Sequence, residues 1–256
     1  MIRIGTSGFS YDDWAGPFYP AGLPARARLA FYAQAFSTVE INTTYYRVPD
    51  ARLVQGWAER TPADFLFAVK AHQGLTHERE RPDCAAFVTA LAPLVESGKL
   101  ACVLAQFPYS FHPTPDNRAY LGWLREGLGD LPAVIELRHA DWVTPVTFEL
   151  LRSLGFGFCC VDEPRLRGLL PPVAVATGLV AYVRFHGRNA AKWYNHEQPW
   201  ERYNYTYSAA ELQEWAPQIR ALDAAAPLTL VYFNNHYVGQ AVQGARELGQ
   251  LLLFSE

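Results

Sequence analysis

Short apolar runs rich in β-branched and aromatic residues punctuate the chain at even intervals. They begin at Ile2 (IRIG), Thr38 (TVEIN), Phe65 (FLFAVK), Ala101 (ACVLAQF), Ala133 (AVIELR), Gly157 (GFCCVD), Ala181 (AYVRFH) and Thr229 (TLVYFN). Each has the length of a strand, and its continuous apolar character predicts burial on both faces. Between the runs, apolar residues return at helical spacing. Leu29, Phe31, Tyr32, Ala35 and Phe36 do so from Pro24 to Phe36, and Cys84, Phe87, Val88, Leu91 and Leu94 from Pro82 to Val95. Leu212, Trp215, Ile219 and Leu222 follow Ser208, an N-cap residue with Glu211 at the capping-box position. Eight such repeats in 256 residues leave about 32 residues each, enough for one βα unit. Strand–helix alternation with doubly buried strands predicts the α/β class and a single (β/α)₈, or TIM, barrel over residues 1–256. An open doubly wound sheet is the alternative, disfavoured by the even spacing and the count of eight. No linker or low-complexity stretch marks a domain boundary.

Two connections are long. Ser7 to Leu23, after strand 1, carries Phe9, Tyr11, Trp14, Phe18 and Tyr19; Gly187 to Tyr207, after strand 7, carries Trp193, Tyr194, Trp200, Tyr203, Tyr205 and Tyr207. Both follow strands and so belong to the C-terminal face, where barrels of this kind hold their active sites. Aromatic loops there make binding walls or a closing lid, or pack as a satellite cluster, and these roles are compatible.

The strand ends are polar. They read Glu40-Ile41-Asn42, Lys70-Ala71-His72, Gln106, Glu136-Leu137-Arg138, Asp162, Arg184-Phe185-His186 and Asn234-Asn235. Side chains alternate along a strand, so a set of large apolar residues on the helix side turns its neighbours inward. Phe65, Phe67 and Val69 then leave Lys70 facing in. Ile135 and Leu137 do the same for Glu136 and Arg138, Val183 and Phe185 for Arg184 and His186, and Val231 and Phe233 for Asn234. Glu40, Glu136 and Asp162 are read as inward acids, with Lys70, Arg138 and Arg184 as inward bases. Buried charges must pair with one another or with a ligand. The expectation is a polar cavity at the catalytic face, with a self-paired ionic plug as the alternative.

The cations suit a carboxylate or phosphate. The acids can hydrogen-bond sugar hydroxyls or act as general base, and His72 and His186 can carry protons. Gly187, and Asn235 with Gly239, stand where many barrels bind phosphate. A divalent metal on Glu40, Glu136, Asp162 and His186 is chemically allowed but disfavoured by three cations beside them and by the lack of H-x-H or H-E-x-x-H spacing. A Schiff base at Lys70 is allowed as well. There is no G-x-S-x-G elbow and no Gly-rich phosphate loop.

Composition narrows the field. Half the residues are apolar, 18% are charged and the net charge is −3, as for a compact enzyme and not for a coat of nucleic acid. Cys84, Cys102, Cys159 and Cys160 include no C-x-x-C pair, which argues against zinc ribbons and iron–sulfur clusters. Adjacent Cys159 and Cys160 should point to opposite faces as buried apolar residues of a reducing compartment. No apolar run nears the roughly 20 residues of a membrane span. Met1 to Gly5 enters a strand with no signal-peptide architecture, so a cytoplasmic protein is expected.

Gly5-Thr6-Ser7-Gly8-Phe9-Ser10-Tyr11, Trp14, Gly16 and Phe18-Tyr19-Pro20 open a series of ordered motifs. It continues through Glu40-Ile41-Asn42, Tyr45-Tyr46-Arg47, Pro49, Phe67, Val69-Lys70, Thr76-His77, Glu136-Leu137-Arg138-His139, Trp142, Arg184-Phe185-His186-Gly187 and Phe233-Asn234-Asn235. The series covers essentially the whole chain and resembles the YecE-like family, also called domain of unknown function 72. The resemblance implies a (β/α)₈ barrel, assigns no activity, and adds Tyr46 to the site. Two departures stand out: Asp141 replaces a usual serine before Trp142, and Gln243-Gly244-Ala245 lacks the usual asparagine before the alanine.

These readings converge on an enzyme, a hydrolase, lyase or isomerase, acting on a small anionic, phosphorylated or polyhydroxylated substrate, with no evident cofactor. Lys70, Glu136, Asp162 and His186 are its candidate catalytic residues. Glu40, Asn42, Tyr46, His72, Gln106, Arg138, Arg184, Asn234 and Asn235 are its candidate binding residues. Two alternatives are carried. One is a nucleic-acid protein or repair-type nuclease, supported by Arg79, Arg81, Arg165 and Arg167 with loop aromatics; the other is a non-catalytic ligand-binding or interaction module.

Overall fold

A computed structural model of the chain describes residues 1–79 and 84–254. Eight parallel strands form the expected barrel: β1 (Ile2–Thr6), β2 (Thr38–Ile41), β3 (Leu66–Lys70), β4 (Leu100–Gln106), β5 (Ala133–Glu136), β6 (Phe156–Asp162), β7 (Val180–Phe185) and β8 (Leu228–Phe233). From β2 to β8 each strand pairs with the next in sequence, and β1 pairs with β8 from Ile2–Thr229 to Thr6–Phe233. The helices are α1 (Ala25–Ala35), α2 (Ala51–Glu59), α3 (Ala85–Ala90), α4 (Ala92–Glu96), α5 (Pro115–Leu128), α6 (Pro145–Ser153), α7 (Ala209–Ala225) and α8 (Gln240–Phe254).

The regular alternation fails at two places. No helix joins β6 to β7; residues 163–179 cross as irregular chain with a turn at 167–168, containing Pro171 and Pro172, which lack the amide hydrogens a helix needs. The helix expected from Pro82 to Val95 is two short ones broken at Leu91. Pro93 there removes a donor and crowds the carbonyl four residues back. Pro82 itself lies outside the described residues. The capping box of Ser208 and Glu211 opens α7 as expected.

The barrel closes between β1 and β2 with a single bridge, Ser7 to Glu40, beside the Gly8 amide donating to the Glu40 carbonyl at 2.7 Å. Below that bridge a side chain takes the place of the ladder. The hydroxyl of Tyr32, on α1, accepts from the Thr6 amide at 2.9 Å and donates to the Thr38 carbonyl at 3.2 Å. Gly5 makes this approach feasible, because a β-carbon there would lie 2.3 Å from the Thr38 carbonyl oxygen.

The loop after β1 is mostly a satellite core. Trp14, Phe18 and Tyr19 are buried, and Phe18 packs edge-on against Phe31 and Tyr32 of α1. Trp14 donates to the His236 carbonyl at 2.7 Å, tying this loop to the end of β8. The loop after β7 is anchored too. Asn189 donates to the carbonyls of Glu201 and Asn204, and Asn235 to that of Tyr205. Among the described residues no helix is long and apolar enough to cross a membrane. All four cysteines are buried.

Candidate functional site at the barrel mouth

The ends of β2, β5 and β7 place three charged side chains in the barrel axis. Arg184, only 2% exposed, donates through Nε and Nη2 to the two oxygens of Glu40 at 2.9 and 2.7 Å. Its Nη1 donates to Glu136 at 2.6 Å, and the Tyr182 hydroxyl donates to Glu40 at 2.7 Å. Burial pushes the Glu40 carboxyl up, but Arg184 and Tyr182 outweigh it and hold the group below its usual range. Glu136 is likewise raised by burial, then held well below that range by Arg138, Arg184 and His186. These acids are therefore ionised and saturated. They form the floor of the site, and their oxygens are not free to take a proton.

His186 belongs to that floor. Its Nε2 faces Glu136 at 3.0 Å and its Nδ1 faces the Asn234 amide at 3.1 Å, so both ring nitrogens are engaged. Burial, then Arg138, lowers its pKa to about 3, which leaves a neutral ring.

Above the floor lies a cavity of about 180 Å³. Asn42, Lys70, Gln106, Arg138, Arg184 and Asn234 supply its polar wall, and Tyr11, Tyr45, Tyr46, Tyr203 and His236 its aromatic rim. Lys70 donates to the Gln106 side-chain carbonyl at 2.8 Å and lies 4.5 Å over the Tyr45 ring. Among the described residues no carboxylate lies within ion-pair distance of its ammonium. Burial, followed by the Arg184 charge, lowers its pKa to about 8. Arg138 reaches Glu136 at 2.8 Å and Glu163 at 3.5 Å, and its Nε–H has no partner among the described residues. The Asn42 side-chain oxygen is similarly unpartnered. A second chamber of about 270 Å³ adjoins through Gln106, Arg138 and Tyr203, walled by Tyr109, Trp193, Tyr194 and Arg202. Outside the barrel wall a more apolar cavity of about 370 Å³ lies among Phe9, Ile41, Leu53 and Trp57, sharing Tyr11 and Asn42 with the mouth.

Seven of the expected site residues thus line one cavity: Asn42, Tyr46, Lys70, Gln106, Arg138, Arg184 and Asn234. Glu40, Glu136 and His186 lie beneath it. Three are elsewhere. Asp162 does not face inward: it accepts from Arg188, the Tyr207 hydroxyl at 2.7 Å and the Trp215 indole at 2.7 Å, all on the helix side of the wall. Asp162 therefore stands apart from Glu40, Glu136 and His186, with which the sequence allows but does not favour a metal site. Asn235 is buried against the β7–α7 loop, and His72 accepts from the Gly74 amide at 3.1 Å outside the cavity. The Gly187 amide, read as part of a phosphate site, already donates to Tyr207 at 2.9 Å.

Two residues escaped sequence reasoning. Glu163 takes the inward position next to Arg138, and burial raises its pKa to about 7 against the pull of Arg138 and the Leu170 amide. His236 stacks on Tyr11 with ring centroids 4.4 Å apart and lines the cavity. Arg79 is bound to the Asn117 side chain, Arg165 and Arg167 are exposed, and Arg81 lies outside the described residues.

Known proteins place this barrel in a family. The UPF0759 protein YunF of Bacillus subtilis (strain 168) is 34% identical over 98% of this chain and 95% of its own length. The UPF0759 protein YecE of Escherichia coli (strain K12) is 29% identical over 56% of this chain and 50% of its own. A DUF72 family protein from Thermotoga maritima MSB8 superimposes with a TM-score of 0.91 at 39% identity, covering 99% of both chains. One from Enterococcus faecalis V583 gives 0.88 at 31% identity over 100% of this chain and 97% of that one. With the pattern described as "Protein of unknown function DUF72" matched from residue 3 to residue 255, the chain belongs to the DUF72 family.

Proposed function

We propose that the barrel mouth is the active site of an enzyme for a small anionic substrate, a carboxylate or phosphate held by Arg138 and Lys70. One observation carries this reading: the Lys70 ammonium lies in a polar cavity without a carboxylate partner among the described residues, above a floor whose acids are already matched. An arriving anion completes the charge balance that the protein leaves open. Arg138 stays charged at all working pH values and orients the anion. Lys70, with its pKa near about 8, exchanges a proton readily near neutrality, as an acid–base group at a substrate carbonyl or hydroxyl requires. Asn42, Gln106 and Asn234 offer neutral hydrogen bonds to the rest of the molecule.

The test is a titration of inorganic phosphate, malonate and glycolate, read by thermal shift and calorimetry at pH 7 and pH 9. Binding should weaken at least tenfold in Lys70→Met and in Arg138→Ala, and should fade in the wild type as the pH rises through about 8. Equal anion-induced shifts in wild type and both folded variants would remove Lys70 and Arg138 from the site. Tight DNA binding with a steep salt dependence, and no response to small anions, would instead favour the nucleic-acid reading.

A further inference from the structure

We propose that His112, His139 and Asp141 form a binding site for a zinc-class divalent transition-metal ion on the C-terminal rim. It involves none of the residues of the Lys70 cavity and does not rest on the function proposed above. One donor atom from each of the three lies within 4.8 Å of the others. The His139 and His112 Nδ1 atoms lie 3.3 and 4.0 Å from the same Asp141 oxygen. Ligands bound tetrahedrally at about 2.0–2.1 Å stand roughly 3.4 Å apart. The His139–Asp141 pair already has that spacing, and rotation of the His112 ring has to bring its donor atom to the same distance from both.

The donors are held together by the fold. His112 follows Phe111 on the β4–α5 loop, and Asp141 precedes Trp142 on the β5–α6 loop. Phe111 and Trp142 are fully buried and stacked with centroids 5.3 Å apart. The Trp142 indole also donates to the Phe111 carbonyl. His112 and Asp141 each sit one residue, and His139 three, from a buried clamp joining the two loops, which limits the ordering needed to bind an ion. Tyr109 packs edge-on against His139 at 4.8 Å and fixes the ring plane.

Two imidazoles and one carboxylate suit zinc, cobalt or nickel, whereas magnesium and calcium prefer all-oxygen sets. Asp141 is 63% exposed and His112 45%, so an ion can enter from solvent and keep water in its remaining position. Among the described residues Asp141 pairs with these histidines alone. The Asp141 amide donates to His139 Nδ1 at 3.2 Å, and the ion must displace that long bond. This competition makes the affinity weaker than that of a closed structural site. Since Tyr109 also walls the outer chamber, a bound ion adds positive charge at the edge of the cleft.

Untagged protein, freed of metal by chelator, should bind one equivalent of Zn²⁺ by calorimetry. Co²⁺ should give the intense visible absorption of a four- or five-coordinate ion. His139→Ala and Asp141→Ser should each weaken binding at least tenfold with unchanged melting of the metal-free protein, while His196→Ala, on the β7–α7 loop, should bind like wild type. Absence of binding at millimolar Zn²⁺, or binding that survives both substitutions, overturns the site.

Discussion

Lys70→Met separates a functional lysine from a structural one through stability alone. A lysine that holds the fold together lowers the melting temperature when removed; one kept charged in a confined site for a ligand raises it. Lowering the Lys70 pKa from its ordinary 10.5 to about 8, at about 1.4 kcal/mol per pH unit, makes the charged form about 3 kcal/mol less favourable in the folded chain than in the unfolded one. Methionine keeps the length of the side chain and removes the charge. It loses the hydrogen bond to Gln106 and the contact over Tyr45, worth about 1 kcal/mol each. A net gain of about 1 kcal/mol remains, or about 2–4 °C in Tm for a chain of this size. The sign can be checked with pH. The folded chain binds the Lys70 proton more weakly than the unfolded one, so the penalty is full below about pH 8 and disappears as the pH rises from there towards 10.5. The advantage of the variant over wild type should therefore be largest near pH 7 and fade by pH 10. The assay is thermal unfolding in anion-free buffer at pH 7, 8, 9 and 10. A variant that melts several degrees below wild type at pH 7 would refute the reasoning, because Lys70 would then be a satisfied structural partner.

Glu163→Gln should stabilise the protein at pH 8 and leave it unchanged near pH 4.5. A folded pKa raised from 4.5 to about 7 means stability is fully present below 4.5 and lost by about 3 kcal/mol as the pH rises through 7; equal melting temperatures of both proteins at pH 8 would contradict it. Glu40→Ala strands one side of the buried Arg184 and should cost about 3–5 kcal/mol by urea unfolding; a loss under 1 kcal/mol would show that the floor relaxes freely. Tyr32→Phe leaves the Thr6 amide and the Thr38 carbonyl without their bridge. It should cost about 2 kcal/mol or more, with faster amide exchange at Thr6, whereas unchanged exchange there would mean that the seam does not use this hydroxyl.

The barrel was legible because its strands are buried on both faces and spaced like βα units. Inward direction was legible wherever large apolar residues occupy one parity, as Phe65, Phe67 and Val69 do beside Lys70. It failed in Phe156–Asp162, where every residue is buried and neither parity is marked. Cys159 feels the charges of Glu136 and Arg184, whereas Cys160 contacts Val175 on the outer side. Asp162 shares the outward parity of Cys160, and Glu163 shares the inward parity of Cys159. Two adjacent acids exchanged roles on a one-residue ambiguity. His236 was illegible for another reason: it lies past the end of β8, where alternation no longer governs direction, and Trp14 and Tyr11 from the other end of the chain set its position. The missing helix between β6 and β7 was foreshadowed by Pro171-Pro172, a signal overridden by the regularity of the other repeats.

The hydroxyl-bridged seam has a consequence for synthesis. β1 leaves the ribosome before the other seven strands of the barrel, yet its full backbone ladder is with β8, more than 200 residues later. Until Leu228–Phe233 is made, the edge of Ile2–Thr6 that β8 will cover has no partner strand, and an open edge invites pairing with other chains. The contact available early is local: Tyr32 can dock against Thr6 and Thr38 once the segment from β1 through β2 is free. Of the two contacts that position β1, the tyrosine bridge is thus the one whose partners are all made first, and the β8 ladder the one made last.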